Sequence, residues 1–561
     1  MLLGHSHEQP ARGRLRTGDR APDPGWDSQT GGGVLKVSER RRRVRTAKRL
    51  GPLLLSVLTF WSAGQAPALG QTSPSRLTPN TSPLAGAIEG PVRVASGRFV
   101  DADHRVVSFH GLFAAWKIPG GLPPDSATAP DGFTAADAAT AASLGMNVFR
   151  LAWFWADLEP SPGKVDHAYL NGYFDLARML EDHGIQVLVD AHQDMFSPRF
   201  GGDGFPDWAA PPDDLDPHPG PFPLGYLTPP VAQAFDSFWA DDRQVQQAFE
   251  HAWEVVASRF SHDPHVVGYD LMNEPFPGSN FGSCLSAPGC TSFDHSVLQK
   301  AESRLGLAVR KVDREHPLFL EPLIFFDWGV PTGLSHTRSQ LYPLGFSFHD
   351  ECFERAVWEG SGGTATPTPQ QEATCLAQSV APIANGEATA SAMRAAPFMT
   401  EVSPITNSDA PGLECILEDA EAHQLSWTYG LNWKAGELRN LDPLKAAVLA
   451  RAYPVAVAGL PTSYGFDPRT ATFQLSYRVS YGPHRARGDT VVFLPTSIYY
   501  PDGYQVQVSG AHVVSSAGSA RLLLANNPGT HLVQLKVAPA GWVTSPASSL
   551  PPCTQLTSPR T

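Results

Sequence analysis

The longest apolar run of this 561-residue chain, Leu50 to about Gly64, is about 15 residues, short of the roughly 20 that a spanning helix needs. Basic charge is scarce once the first 70 residues are set aside: they hold 12 Lys and Arg against 5 Asp and Glu, a surplus of 7, so a total of −13 leaves −20 on the remainder. That acidic body argues against nucleic acid as a partner and against electrostatic docking on anionic lipid, and it is compatible with a neutral substrate. Cysteine is sparse at six, with no two-cysteine knuckle or histidine pairing of the kind that holds zinc. No segment repeats, which removes solenoids and propellers.

What is present is a normal globular composition with 13 Trp and 29 Phe, enough for a large core, in a chain whose length implies two domains. Arg40-Arg41-Arg42-Arg43-Val44-Arg45 precedes the Leu50 apolar run, and small residues follow in Ala66-Pro67-Ala68-Leu69-Gly70. This is the order of a signal peptide cleaved near Gly70, which predicts a secreted, extracellular protein, held at the cell surface if the segment stays uncleaved. Residues 1–70 are therefore expected to be a leader and 71–91, rich in Ser, Thr and Pro, a linker. Export fits the cysteines as bridges: Cys284 with Cys290 across a short Gly/Ser/Pro loop, and Cys352 with Cys375 across a Gly/Thr/Pro insertion. The partner of Cys415 cannot be read locally, Cys553 being one choice.

From residue 92 to 450, eight short apolar segments alternate with amphipathic helical ones: Val107–Phe113, Asn147–Trp153, Gln186–Ala191, Val266–Met272, Leu318–Leu323, Leu344–Phe348, Pro397–Thr400 and Leu425–Tyr429. Eight βα units with near-continuous apolar strands predict a (β/α)8 TIM barrel, with a doubly wound sheet as the alternative. After Arg451 the helical period stops. Alternating runs such as Thr472–Tyr477 and His531–Val537, separated by Gly, Pro and Asn, predict a small C-terminal β-sandwich over 451–543 and a disordered tail over 544–561.

A barrel gathers the C-terminal ends of its strands at one mouth. Two glutamates stand at such ends, Glu274 in Tyr269-Asp270-Leu271-Met272-Asn273-Glu274-Pro275 and Glu401 in Phe398-Met399-Thr400-Glu401. Glycosidic cleavage needs two carboxylates, one protonated to release the leaving oxygen and one ionised to attack or stabilise the sugar cation. Arg150, within the apolar Asn147-Val148-Phe149-Arg150-Leu151, must find a carboxylate if buried and would hold the attacking glutamate ionised. Asp190-Ala191-His192-Gln193-Asp194 ends the third strand, where His192 and Asp194 suit sugar hydroxyls, and His349 ends the sixth. Trp427 and Trp433 flank the eighth, where an indole could floor a sugar ring. Asn273 is expected to bond the sugar 2-hydroxyl.

Taken in order, these motifs resemble glycoside hydrolase family 5 of clan A, and within it the endoglycoceramidase group. Asn273-Glu274-Pro275 is similar to the family's acid/base motif, Glu401 to its nucleophile and Arg150 to its second-strand arginine. Asp190 to Asp194, Gly202-Asp203-Gly204-Phe205-Pro206-Asp207-Trp208 and Lys117 in Ala115-Trp116-Lys117-Ile118-Pro119 resemble the glycolipid-cleaving branch, and Tyr453 to Gly459 resembles the opening of its C-terminal domain. The resemblance implies a retaining endo-β-glycosidase that cuts between glycan and ceramide, needs no cofactor or metal, and makes transient contact with a membrane surface. Phe196, Phe200, Phe222, Phe276 and Phe281 are candidates for an apolar groove or for core packing. An endo-β-glucanase or mannanase is the alternative enzyme. Three departures stand out: His349-Asp350-Glu351 where the family has His-x-Tyr, Val402 after Glu401 where it has Phe, and Gly430 where Trp-Thr-Tyr-Trp would put its last indole. An ionised Glu351 would raise the pKa of Glu401, so a carbohydrate-binding pseudoenzyme is the third reading.

Overall fold

A computed structural model describes residues 35–36, 82–211, 220–335, 338–432, 437–481, 485–541 and 545–556. The signal segment and Trp433 fall outside these residues. Among the described residues no helix is long and apolar enough to cross a membrane.

Eight parallel strands close into a barrel: β1 His110–Ala115, β2 Val148–Trp153, β3 Gln186–Ala191, β4 Val266–Asp270, β5 Leu318–Leu320, β6 Leu344–Glu351, β7 Ala396–Ser403 and β8 Ser426–Asn432. The pairing of β8 with β1, Trp427 opposite His110, completes the ring and confirms the (β/α)8 expectation over the doubly wound one. Every residue of β1 to β5 is buried, because helices cover the outside and side chains fill the inside. The helices are built to lie on this surface. In His167–Glu181, Asp166 caps the start by accepting from the Ala168 and Tyr169 amides, and Tyr169, Tyr173, Leu176 and Leu180 form the buried stripe.

The C-terminal strands form two antiparallel sheets. One includes Leu460–Asp467, Thr472–Arg478, Leu532–Pro539 and Tyr504–Ser509, extended at its edge by Leu35–Lys36. The other has seven strands, and three of them, Arg93–Ala95, Arg98–Val100 and Val106–Val107, precede the barrel in sequence. They join through Val107 opposite Ala456 and Val106 opposite Val457. The first two of these strands are a hairpin ahead of the barrel, and through the third they complete the distant sheet.

That hairpin also stoppers the barrel. Phe99 stacks on Phe319 with ring centroids 5.9 Å apart and meets Phe109 at 5.4 Å and Phe398 at 5.9 Å, in a buried cluster at the strands' N-terminal ends. Arg451, fully buried, holds the second seam: its guanidinium donates to Glu421 at 3.0 Å and to the Phe466 carbonyl at 2.9 Å, tying helix Ala410–Ala422 to the C-terminal domain.

Two terminal expectations are corrected. Of the proposed linker, residues 82–91 pack on the body, with Leu84 and Ala87 buried and Arg521 donating to the Ala85 and Gly86 carbonyls. Of the proposed tail, residues 545–556 are ordered, with Ala547 and Leu550 buried and Cys553 bridged to Cys415. Cys284–Cys290 and Cys352–Cys375 form the other bridges. Truncating the stopper, Phe99→Ala, is expected to cost about 3 to 5 kcal/mol, read as a lower urea midpoint with an unchanged slope.

Candidate active site

The mouth is organised by a buried cation. Arg150, on β2 and fully buried, has its Nε 2.9 Å from Asp270 Oδ2, its Nη2 3.1 Å from both Asp190 and Glu321, and its Nη1 3.4 Å from Glu401 Oε2. Nη2 also donates to Asn273 Oδ1 at 2.9 Å, and the guanidinium lies 5.2 Å from the Phe113 ring centroid. One buried positive charge therefore serves four carboxylates. Repulsion between neighbouring acids adds to the penalty of burial and favours their protonated forms. Asp270 is raised to about 6, burial and Asp190 outweighing Arg150, and Glu321 stands well above the usual carboxylate range for the same two reasons, burial first and Asp270 second.

Glu401, on β7, is raised to about 8, by burial first and then by Glu351, against the pull of Arg150. The arginine expected to keep it ionised is shared with three other acids, and its pull is outweighed by burial and Glu351. Glu351 ends β6 opposite Ser403 of β7 and pairs with buried Arg355, Nε to Oε1 3.6 Å. Gly430 of β8 lies against Glu401: a Cβ there would stand 3.0 Å from Glu401 Oε1 and 3.0 Å from Ser403 Oγ. Both side chains therefore pack directly on the glycine backbone, in space that any larger residue would contest.

Glu274 follows β4 with φ of 42°, a left-handed conformation that costs a non-glycine residue about 1 to 3 kcal/mol and is found where surrounding contacts impose it. Those contacts are present. Its amide donates to Glu321 Oε1 at 2.6 Å, and Gln193 Nε2 donates to its carbonyl at 2.9 Å. The carboxyl, 3.2 Å from His349 Nδ1, has its pKa well above the usual range through burial, then Asp194, Glu351 and Glu401. His349 is held neutral by burial and Arg150. Glu274 thus holds its proton more tightly than an ordinary carboxylic acid, beside an imidazole whose charged form is disfavoured.

A second charged layer rims the mouth. His192 Nδ1 lies 3.1 Å from Asp190 and its Nε2 3.5 Å from Asp194. Burial and Lys117 oppose its charge, but the two aspartates prevail and raise it to about 9. Lys117 pairs with Asp194 and stands 4.0 Å from Asp203. Despite burial, Asp194 is lowered to about 2 by Lys117 and His192, whereas burial drives Asp203 up to about 7.

Most of the residues picked from sequence meet here: Glu274, Glu401, Arg150, Asn273, His349, His192, Asp194 and Lys117. Asn273 is already engaged, its Nδ2 donating to the Gln193 carbonyl at 3.0 Å while Oδ1 accepts from Arg150, which leaves one amide hydrogen for a ligand. Trp427 is a correction. As the second residue of β8 it lies far from the mouth and faces outward, packing 4.6 Å from the His110 ring, which stacks on Tyr453 at 3.8 Å. Alternation along the strand turns Thr428 and Gly430 inward instead. Phe196, Phe200 and Phe276 are core, whereas Phe222 is exposed.

Sequence reading missed Glu321, Asp327 and Ser347. Glu321 carried the same signal as the two chosen glutamates, an acid closing the apolar run Leu318-Phe319-Leu320. Two triads, His192 with Asp194 and Asp203 and Glu274 with Asp327 and His349, each bring ligand atoms within 4.8 Å of one another. Lys117 already supplies the cation of the first, and a two-carboxylate reaction requires no metal at the second.

The family comparisons match this architecture. Residues 124–350 match the family described as Cellulase (glycosyl hydrolase family 5), and residues 451–537 match the glycoside hydrolase family 5 C-terminal domain. Endoglycoceramidase I of Rhodococcus hoagii (strain 103S) is 31% identical over 453 residues, 78% of this chain and 86% of that protein. Two solved structures of endo-glycoceramidase II from Rhodococcus sp. align as well. A lactosyl-enzyme intermediate has a TM-score of 0.63 at 26% identity, covering 79% of this chain and 99% of that one. A ganglioside GM3 complex has a TM-score of 0.65 at 25% identity, covering 80% and 100%. The chain belongs to glycoside hydrolase family 5 and is a glycoside hydrolase. Within the family it falls in the endoglycoceramidase-like group.

Because folding raises the pKa of Glu401, its proton is held more tightly in the native state, and the resulting stabilisation is present below its unfolded pKa and lost as pH rises towards about 8. Between pH 4.5 and 8 the Tm of the wild type should therefore fall relative to that of Glu401→Gln. Parallel thermal melts that stay a constant distance apart would rule out the raised pKa.

Proposed function

We propose that this protein is a secreted retaining endo-β-glycosidase that hydrolyses the bond between glycan and ceramide in glycosphingolipids. Glu274, protonated and placed by the strained turn after β4, gives its proton to the glycosidic oxygen. Glu401, in its ionised form, attacks the anomeric carbon from the other face, and a covalent glycosyl-enzyme results. Glu274, now a carboxylate beside His349, removes a proton from water, which displaces Glu401 and regenerates both groups. The lactosyl-enzyme intermediate of the Rhodococcus endo-glycoceramidase II supports the covalent step, and its ganglioside complex supports the substrate class. Three disulfides and the basic-then-apolar leader support export.

The observation that carries the lipid half of this reading is an apolar rim around a charged mouth. Phe222, Leu224 and Leu227 are exposed on one loop, and Phe353 and Val357 on helix Phe353–Gly360. The two elements touch, since a Cβ on Gly360 would meet Leu224 at 2.7 Å. Phe222 reaches the site itself, its ring centroid 5.6 Å from Lys117 Nζ. Exposed apolar groups gathered beside a polar cleft suit a substrate with a sugar head and a hydrocarbon tail presented at a lipid surface.

A short-chain glycosphingolipid labelled on its lipid should release labelled ceramide, and Glu274→Gln and Glu401→Gln should each slow release by at least about 10²-fold. Methanol should trap a product of unchanged anomeric configuration, and an inverted product would exclude retention. Turnover of β-glucan or mannan with none of glycolipid would assign the polysaccharide reading instead. In a separate comparison, Leu224→Ser with Phe353→Ser should cut hydrolysis of glycolipid in vesicles by about tenfold while sparing a soluble aryl β-glycoside. Equal rates on vesicles would remove the membrane-facing role of the rim.

A further inference from the structure

At the end of β4 opposite Glu274, three potential metal ligands meet in a place the hydrolytic chemistry does not use. Glu181 is the last residue of helix His167–Glu181, Asp263 lies in the turn after helix Val245–Phe260, and His265 immediately precedes β4. One ligand atom from each lies within 4.8 Å of the others. The backbone fixes their places: the His265 carbonyl accepts from Val187 of β3, and the Asp263 carbonyl is 3.0 Å from His316 Nε2.

Glu181 gives the independent indication of a ligand. The residue is only 7% exposed, yet neither carboxylate oxygen accepts a hydrogen bond, and His265 Nδ1 stands off both acids, 3.4 Å from Asp263 Oδ1 and 3.7 Å from Glu181 Oε2. A buried carboxylate left in this state is expensive unless something positive occupies the gap. Arg178 is the neighbouring guanidinium. Its Nη1 stands 3.4 Å from Glu181 and 4.0 Å from Asp263, and its side chain is 53% exposed. Burial, and next the charge of Asp263, raise Glu181 to about 8, the repulsion that a cation between the two acids would relieve. His265, with its side chain 42% exposed, leaves a route for an ion and for a water as a further ligand.

We propose that Glu181, Asp263 and His265 form a divalent-cation site at the closed end of the barrel, suited by its one imidazole and two carboxylates to Zn2+. Such an ion would pin the end of one barrel helix to the loop that starts β4, so its effect is on stability rather than on hydrolysis. Metal-free full-length protein is titrated with Zn2+ alone by calorimetry and melted with and without it. The wild type should bind one equivalent more than His265→Ala or Glu181→Gln, and its Zn2+-dependent rise in Tm should disappear in both variants, while their metal-free melts and glycosidase rates stay near those of the wild type. Counting the difference in equivalents separates this site from the two triads in the mouth. Arg178→Ala, which removes the competing cation, should tighten Zn2+ binding at least about threefold. The proposal is overturned if the wild type binds no Zn2+, if the variants bind as many equivalents as the wild type, or if Arg178→Ala leaves the affinity unchanged.

Discussion

Everything at the mouth depends on one guanidinium that is outnumbered. Arg150 touches acids from β3, β4, β7 and the segment after β5, so five positions around the ring are tied to a single charge. Removing such a charge from a closed interior leaves its partners facing one another without compensation, which makes the arginine structural. Its insufficiency is also functional. Burial and mutual repulsion raise Asp270, Glu321 and Glu401 together, the one arginine notwithstanding. Acidic character here is a property of the cluster rather than of Glu274 alone.

Much of this was legible in the sequence, for a specific reason. A parallel barrel writes each strand as an unbroken apolar run and puts its chemistry where the run stops, so Glu274 and Glu401 announced themselves by position. The reading failed where position was not enough. Glu321 ends its run in the same way but was taken as part of the strand. Trp427 was assigned to the mouth because it is large and aromatic, although strand alternation and its place near the start of β8 point it outward against His110. Pairings between distant segments have no local signature at all. The join of Val106–Val107 to Ala456–Val457 and the bridge from Cys415 to Cys553 depend on where the closed barrel delivers its two ends.

The departures from the family pattern fall close together. Glu351 and Gly430 both border Glu401, one adding negative charge and the other removing bulk. The first makes ionisation of Glu401 harder, and the second lets Glu401 and Ser403 lie directly on the strand backbone, 3.0 Å from where a Cβ would stand. A mouth this rich in carboxylates would repel an anionic group placed close to Glu401.

The seven-stranded sheet carries a consequence for how the molecule comes into being. Its first three strands leave the ribosome before any part of the barrel, and the strand that receives them, Tyr453–Val457, is made some 350 residues later, so Phe99 cannot be clamped at the base of the barrel until then. At about 5 to 20 residues per second, the hairpin that carries Phe99 waits tens of seconds for the strand that receives it. A polypeptide whose first and last elements must meet before it locks remains threadable until synthesis is nearly complete.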